Sequence, residues 1–157
     1  MYKTRADAVK EWLEAYRKEE EELDGIIERV RELRAGMMGV QAQVLSFLPK
    51  GPGSDDPMTD YVIRLESMEG DMRRRLDAHE RDRMALKGLV DLVLRGDDWF
   101  VITHRYLFLE KWADIRYALY GQEPEYSKNL DKYDMRVFRA HKEALEVMAR
   151  NWEIKQP

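Results

Sequence analysis

The chain of 157 residues contains no cysteine, which excludes disulfides, thiolate zinc sites and cysteine nucleophiles. It also lacks any apolar run near the ~18 residues a membrane-spanning helix needs. Histidine is scarce. His79, His104 and His141 lie far apart in sequence, so no local spacing marks a metal or catalytic cluster. There is no glycine-rich phosphate cradle, no nucleophile motif and no convergent carboxylate pair. The expectation is a protein that is not an enzyme, with no cofactor and no metal. Met1-Tyr2-Lys3-Thr4 leads into charge with no apolar core to a leader, so no secretory signal is expected. Together these absences predict a cytoplasmic protein with no membrane partner.

Apolar residues make up 44% of the chain and charged residues 37%. That balance argues for long amphipathic helices with wide solvated faces, and against disorder. Val9, Tyr16, Leu23, Val30, Met37 and Val44 recur every seven residues. Trp12, Ile26, Leu33 and Val40 fill the second seam, which Glu19 alone interrupts. A sustained seven-residue step predicts a left-handed coiled coil. Thr4 suits an N-cap, with Asp7 in the first turn. A helix over 5–46 would be roughly 60 Å long at ~1.5 Å per residue. Gly25, Gly36 and Gly39 each cost it up to ~1 kcal/mol.

The helix is expected to end near Phe47, because SFLPKGPGSDDPM holds three prolines and two glycines, which no helix interior accommodates. Thr59 or Asp60 can cap a second helix, where Leu65, Met72, His79, Leu86 and Val93 again step by seven, with Met68, Leu76 and Val90 beside them. Two long helices with a short connection fold back on each other. Residues 1–95 therefore read as an antiparallel helical hairpin with its tip at 47–58. Folding about that tip sets Glu19 to Glu22 opposite Arg81, Arg83 and Lys87 as register charges. Arg73, Arg74 and Arg75, set among acidic neighbours, read as a solvated face, and His79 as a packed seam residue.

Residues 96–157 read as a separate small module. Asp97 or Asp98 offers an N-cap to a short helix carrying Trp99, Phe100, Ile102, Tyr106 and Leu107. A turn through Glu110 and Lys111 leads to a second helix, Trp112 to Tyr120, with Trp112, Ile115 and Leu119 as its buried stripe. Ala113 is small where another helix would come close. Gly121 stands where a left-handed C-cap is expected. After GQEPEYSKNLDK the last helix is predicted to begin near Tyr133. Val137, Phe138, His141, Ala144, Leu145, Met148 and Trp152 fall on one side of it, and Lys132, Arg136 and Arg139 on the other. Over 128–142 five basic residues, Lys142 among them, stand against two acidic ones. Basic charge near the start of a recognition helix suits phosphate contact and base reading in a major groove. It is also ordinary surface chemistry.

The order of parts resembles the ArpU/RinA-like late-transcription regulators of bacteriophages and integrated elements. The matching stretches are Glu11-Trp12-Leu13-x-x-Tyr16-Arg17, Pro49-x-Gly51-x-Gly53-Ser54-Asp55, and Arg105-Tyr106 before Trp112-Ala113-Asp114-Ile115. Val137-x-Arg139-x-His141-x-x-Ala144-Leu145 completes them. The resemblance implies a sigma-factor-like helix-turn-helix that binds double-stranded promoter DNA. Its reading helix would be 134–148, with Arg136 and Arg139 toward DNA and Trp112, Ile115, Val137 and Leu145 in the packing. The candidate DNA-binding residues are thus Lys132, Arg136, Arg139 and Lys142. The connection at 122–132 is about eight residues longer than a sigma-type turn. It could be a wing contacting DNA or a partner. The alternatives are a coiled-coil scaffold, a small-terminase-like packaging ring that oligomerises through the hairpin, and a hairpin that contacts RNA polymerase.

Overall fold

A computed structural model describes residues 3–47 and 57–152, with the side chains of 40–47 and 57 outside the description. The hairpin tip, its Pro-Gly-Ser motif and the seam side chains Val40 and Val44 therefore lie outside the described residues. Among those described, the protein is all-helical, without a strand. Its helices are α1 (Arg5–Phe47), α2 (Pro57–Val90), α3 (Asp97–Tyr106), α4 (Trp112–Tyr120) and α5 (Leu130–Asn151), with a 3-10 turn at Tyr126–Lys128.

The ends of these helices follow local chemistry. At the start of α1 the Thr4 hydroxyl accepts from the Asp7 amide at 3.1 Å, and Asp7 Oδ2 accepts from the Thr4 amide at 2.9 Å. This is a reciprocal capping box, and it satisfies two amides that the first turn leaves without helical partners. Helix α2 begins at Pro57, ahead of the expected caps Thr59 and Asp60, because proline's fixed φ suits a first helical position. Gly96 rather than Asp97 or Asp98 caps α3, since Asp97 is already helical and its carboxylate accepts from the Tyr120 hydroxyl at 2.9 Å. Helix α5 starts at Leu130, three residues before the expected Tyr133.

Gly121 differs from the expectation in kind. Its φ is −61°, a right-handed value open to any residue. What demands glycine is proximity: a Cβ there would stand 2.5 Å from the Tyr117 carbonyl oxygen. Left-handed backbone instead falls on Leu109 and Glu125, at φ 58° and 62°.

The chain divides into two compact units, Glu19–His79, and Met1–Lys18 with Glu80–Pro157. The expected boundary at 95/96 lies inside the second of these. In Glu19–His79 the two helical segments run antiparallel. Tyr61 donates to the Leu33 carbonyl at 2.6 Å, Arg34 pairs with Glu69, and Arg75 reaches Glu19 and Glu22 at 2.7–2.9 Å. His79 meets Glu20. Arg75 and His79 thus meet the acidic block where Arg81, Arg83 and Lys87 were expected, a correction to the register. Among the described residues of this unit Leu23, Val30, Leu65 and His79 are buried, and all four lie on the seven-residue steps.

The other unit holds two cores. The first joins Val9, Leu13 and Tyr16 of α1, Leu86, Leu89 and Val90 of α2 and Ile102 and Tyr106 of α3 to Ala144, Leu145 and Met148 of α5. The second joins Val101 of α3 and Ile115 and Tyr120 of α4 to Tyr133, Val137 and Ala140 of α5. Helices α3 and α5 each face both cores. Adjacent residues Val101 and Ile102 point into different ones, and α5 turns from one to the other along its length. Ala113 is exposed, so no helix among the described residues packs on it. Phe138, expected inside, is 45% exposed and lies edge-on to Trp112 at 5.3 Å.

Candidate nucleic-acid interface

On a helix, residues four, seven and eleven apart fall on one stripe. Lys132, Arg136 and Arg139 of α5 make such a stripe, all exposed, beside the buried face of Val137, Ala140 and Ala144. The next position along it is Glu143. Lys142 sits off this line and lines a cleft with the first turns of α1. Three of the four expected residues are thus brought together, and the fourth belongs to a different surface.

Tyrosines support the stripe. Tyr120 stacks on Tyr133 with ring centroids 5.1 Å apart, and Tyr126 lies 5.6 Å from Tyr133. The Arg136 guanidinium lies over Tyr133 at 5.5 Å and Tyr120 at 5.7 Å, and the Lys132 ammonium over Tyr133 at 5.6 Å. Ring faces hold cations by their quadrupoles and restrict the motion of long side chains. The cations stay exposed but lose freedom before any ligand arrives, which reduces the entropy cost of binding.

The connection between α4 and α5 is fastened to the same cluster. Arg116 donates to the Tyr126 hydroxyl at 2.8 Å and to Asp134 at 2.7 Å. Those two hydrogen bonds raise its pKa above the ordinary guanidinium value. Left-handed Glu125 turns the chain into the 3-10 segment. The connection is therefore an ordered strap whose rings extend the tyrosine tray, and Asp134 is occupied by Arg116.

Acidic charge closes one end. Burial, then the carboxylates of Glu143 and Asp97, hold Asp98 above the ordinary carboxylate range. Asp97 in turn accepts from Tyr120, whose hydroxyl is pushed up to about 12 by burial and that bond. The stripe thus runs from cationic at Lys132 to anionic at Glu143.

The turn between α3 and α4 is anchored by two arginines. Arg105 donates to the Glu110 carbonyl at 3.1 Å and stacks over Trp112 at 4.5 Å. Arg17 reaches the carbonyls of Leu109 and Glu110 at 3.3 Å. These bonds hold the left-handed Leu109, a conformation that costs a β-carbon residue roughly 1–2 kcal/mol. They also occupy both arginines structurally. Of the packing residues implied by the resemblance, Ile115, Val137 and Leu145 are buried and Trp112 is half-buried.

The tyrosine tray, the strap and the Asp98–Glu143 pair were not read from sequence. Aromatic residues at 117, 120, 126 and 133 are the one visible signal for the tray. No protein-family model, no curated protein and no solved structure matches the chain. Its functional reading therefore rests on its own residues.

Proposed function

We propose that this protein is a sequence-specific, double-stranded-DNA-binding transcription regulator. Helix α4, the strap and α5 act as a helix-turn-helix module with a lengthened turn, and α1 and α2 supply an antiparallel coiled-coil handle. The observation that carries this reading is the exposed stripe Lys132–Arg136–Arg139 on the first half of α5, with Arg136 and Lys132 held over Tyr120 and Tyr133. Phosphates are engaged by such preset cations, and guanine edges by arginines projecting from the start of a helix. The acidic end at Glu143 limits the footprint to the first turns of α5, which is the part that enters a groove in helix-turn-helix docking. By resemblance, the target class is the late or transfer genes of a phage or mobile element.

Fluorescence anisotropy on duplex DNA drawn from the gene's own neighbourhood, over a series of salt concentrations, tests this. Binding that weakens steeply with salt is expected. The Arg136→Ala/Arg139→Ala variant should lower the salt slope by about two and the affinity at least about tenfold. Arg73→Ala, in the other compact unit, should leave both unchanged. Absence of binding at low salt would overturn the reading.

A further inference from the structure

On the flank of α5 away from the tyrosine tray lies a cleft of about 640 Å³ against the first turns of α1. That volume is in the range of small-molecule pockets, roughly 300–1,000 Å³. Its walls include Asp7 and Lys10 from α1, and Phe138, His141, Lys142 and Glu146 from α5.

His141 is 6% exposed, and its hydrogen bonding fixes which ring nitrogen faces a ligand. Tyr106 has one proton and donates it to Glu14 Oε1 at 2.9 Å. Its oxygen can then only accept from His141 Nε2, 3.0 Å away, so Nε2 carries the ring hydrogen and Nδ1 keeps its lone pair. No side chain among the described residues takes that lone pair, and Nδ1 is not among the atoms sealed from solvent without a partner. His141 lines the cleft, and Nδ1 is the acceptor that this buried side chain has left to offer there. Burial, then Lys10 and Arg105, hold His141 down to about 4, which keeps the ring neutral at physiological pH.

The charges around this acceptor balance. The hydroxyl and amide of Thr4 donate to Asp7 and hold it below the ordinary carboxylate range, so it remains ionised. Lys10, Lys142 and Glu146 enter no ion pair among the described residues. Two cations and two anions thus rim a cleft whose wall carries the half-exposed Phe138 ring. A simple anion there meets Asp7 and Glu146, and a simple cation meets Lys10 and Lys142. A ligand with both charges close together satisfies both pairs.

We propose that this cleft binds a small zwitterion with an apolar side chain, the chemistry of a free α-amino acid. Its carboxylate lies between Lys10 and Lys142, its ammonium lies toward Asp7, Glu146 and His141 Nδ1, and its side chain lies on Phe138. The site is independent of the DNA stripe, and its test needs no DNA.

The full-length protein is titrated with L-leucine or L-phenylalanine, and with isocaproate and isoamylamine, which lack the ammonium and the carboxylate of leucine. Calorimetry reads the affinity, and long-range proton–nitrogen spectra read the His141 ring. The expected result is a saturable shift of His141 Nδ1 with an amino acid and binding at least about tenfold weaker for either single-charge analogue. Lys10→Ala/Lys142→Ala should weaken amino-acid binding by at least about tenfold. Both lysines are exposed, so an unchanged melting temperature certifies the fold. The proposal is overturned if no His141 shift occurs up to about 10 mM amino acid, if isocaproate binds as tightly as leucine, or if the double variant binds unchanged.

Discussion

Two single residues carry more than their sequence context suggests. His141 is buried, bonded to Tyr106 and held down to about 4, whereas an unfolded histidine titrates near 6.5. Between those values the unfolded chain binds the extra proton, so stability rises with pH across this window. The contribution is complete above about 6.5 and lost as pH falls toward 4. From pH 7 to pH 5 the loss is about 2 kcal/mol. Paired thermal melts of the wild type and His141→Gln at the two pH values should show a smaller acid-side drop in the variant, whatever its stability at pH 7. Gly121 is the second such residue. Gly121→Ala places a Cβ against the Tyr117 carbonyl, and the helix end must shift at a cost of about 1–3 kcal/mol. Denaturant titration measures this. A neutral or stabilising outcome would mean that proximity does not select glycine there.

At the scale of elements, what periodicity could encode was legible in the sequence and what pairing decides was not. The α3 turn and the bounds of α4 follow from the Tyr106–Gly121 stretch alone, because apolar spacing and a polar turn are local signals. Seven-residue steps likewise mark Leu23, Val30, Leu65 and His79, the buried residues among those described in the Glu19–His79 unit. Leu13 and Leu89, both deeply buried, escaped that frame. In the unit where they sit, the helices face a core several helices wide rather than a narrow seam. Ionic register escaped too, since the length of the connection displaces which charges meet, and Arg75 took the place assigned to Arg81. At the candidate site Arg136 and Arg139 were readable as exposed cations. The rings beneath Arg136 were not, because Tyr120 and Tyr133 belong to different elements. The same logic separates Lys142 from the stripe: close spacing along a helix does not confer a shared face.

For the molecule as a whole, the two compact units differ in what they bury. Among the described residues, Glu19–His79 seals Leu23, Val30 and Leu65 as its apolar residues, against two multi-helix cores in the other unit. Few buried apolar contacts mean a low free energy of local opening. Native-state hydrogen exchange should therefore show amides of 23–34 and 61–76 opening more readily than those of 137–148. Equal protection would contradict this. The first core has a further consequence, for the time course of synthesis. Leu13 packs in a cluster with Met148, and Trp12 lies against Trp152, ring centroids 4.8 Å apart. The ribosome makes one member of each pair early and the other late. Until α5 emerges, Val9, Leu13 and Tyr16 lack its share of their core, Ala144, Leu145 and Met148, and a nascent chain carries that apolar stripe only partly covered. Closure is therefore the slow, late event that long-range contacts impose even on an all-helical protein. Any chain that stalls before α5 is marked as unfinished by the part of that stripe it leaves bare.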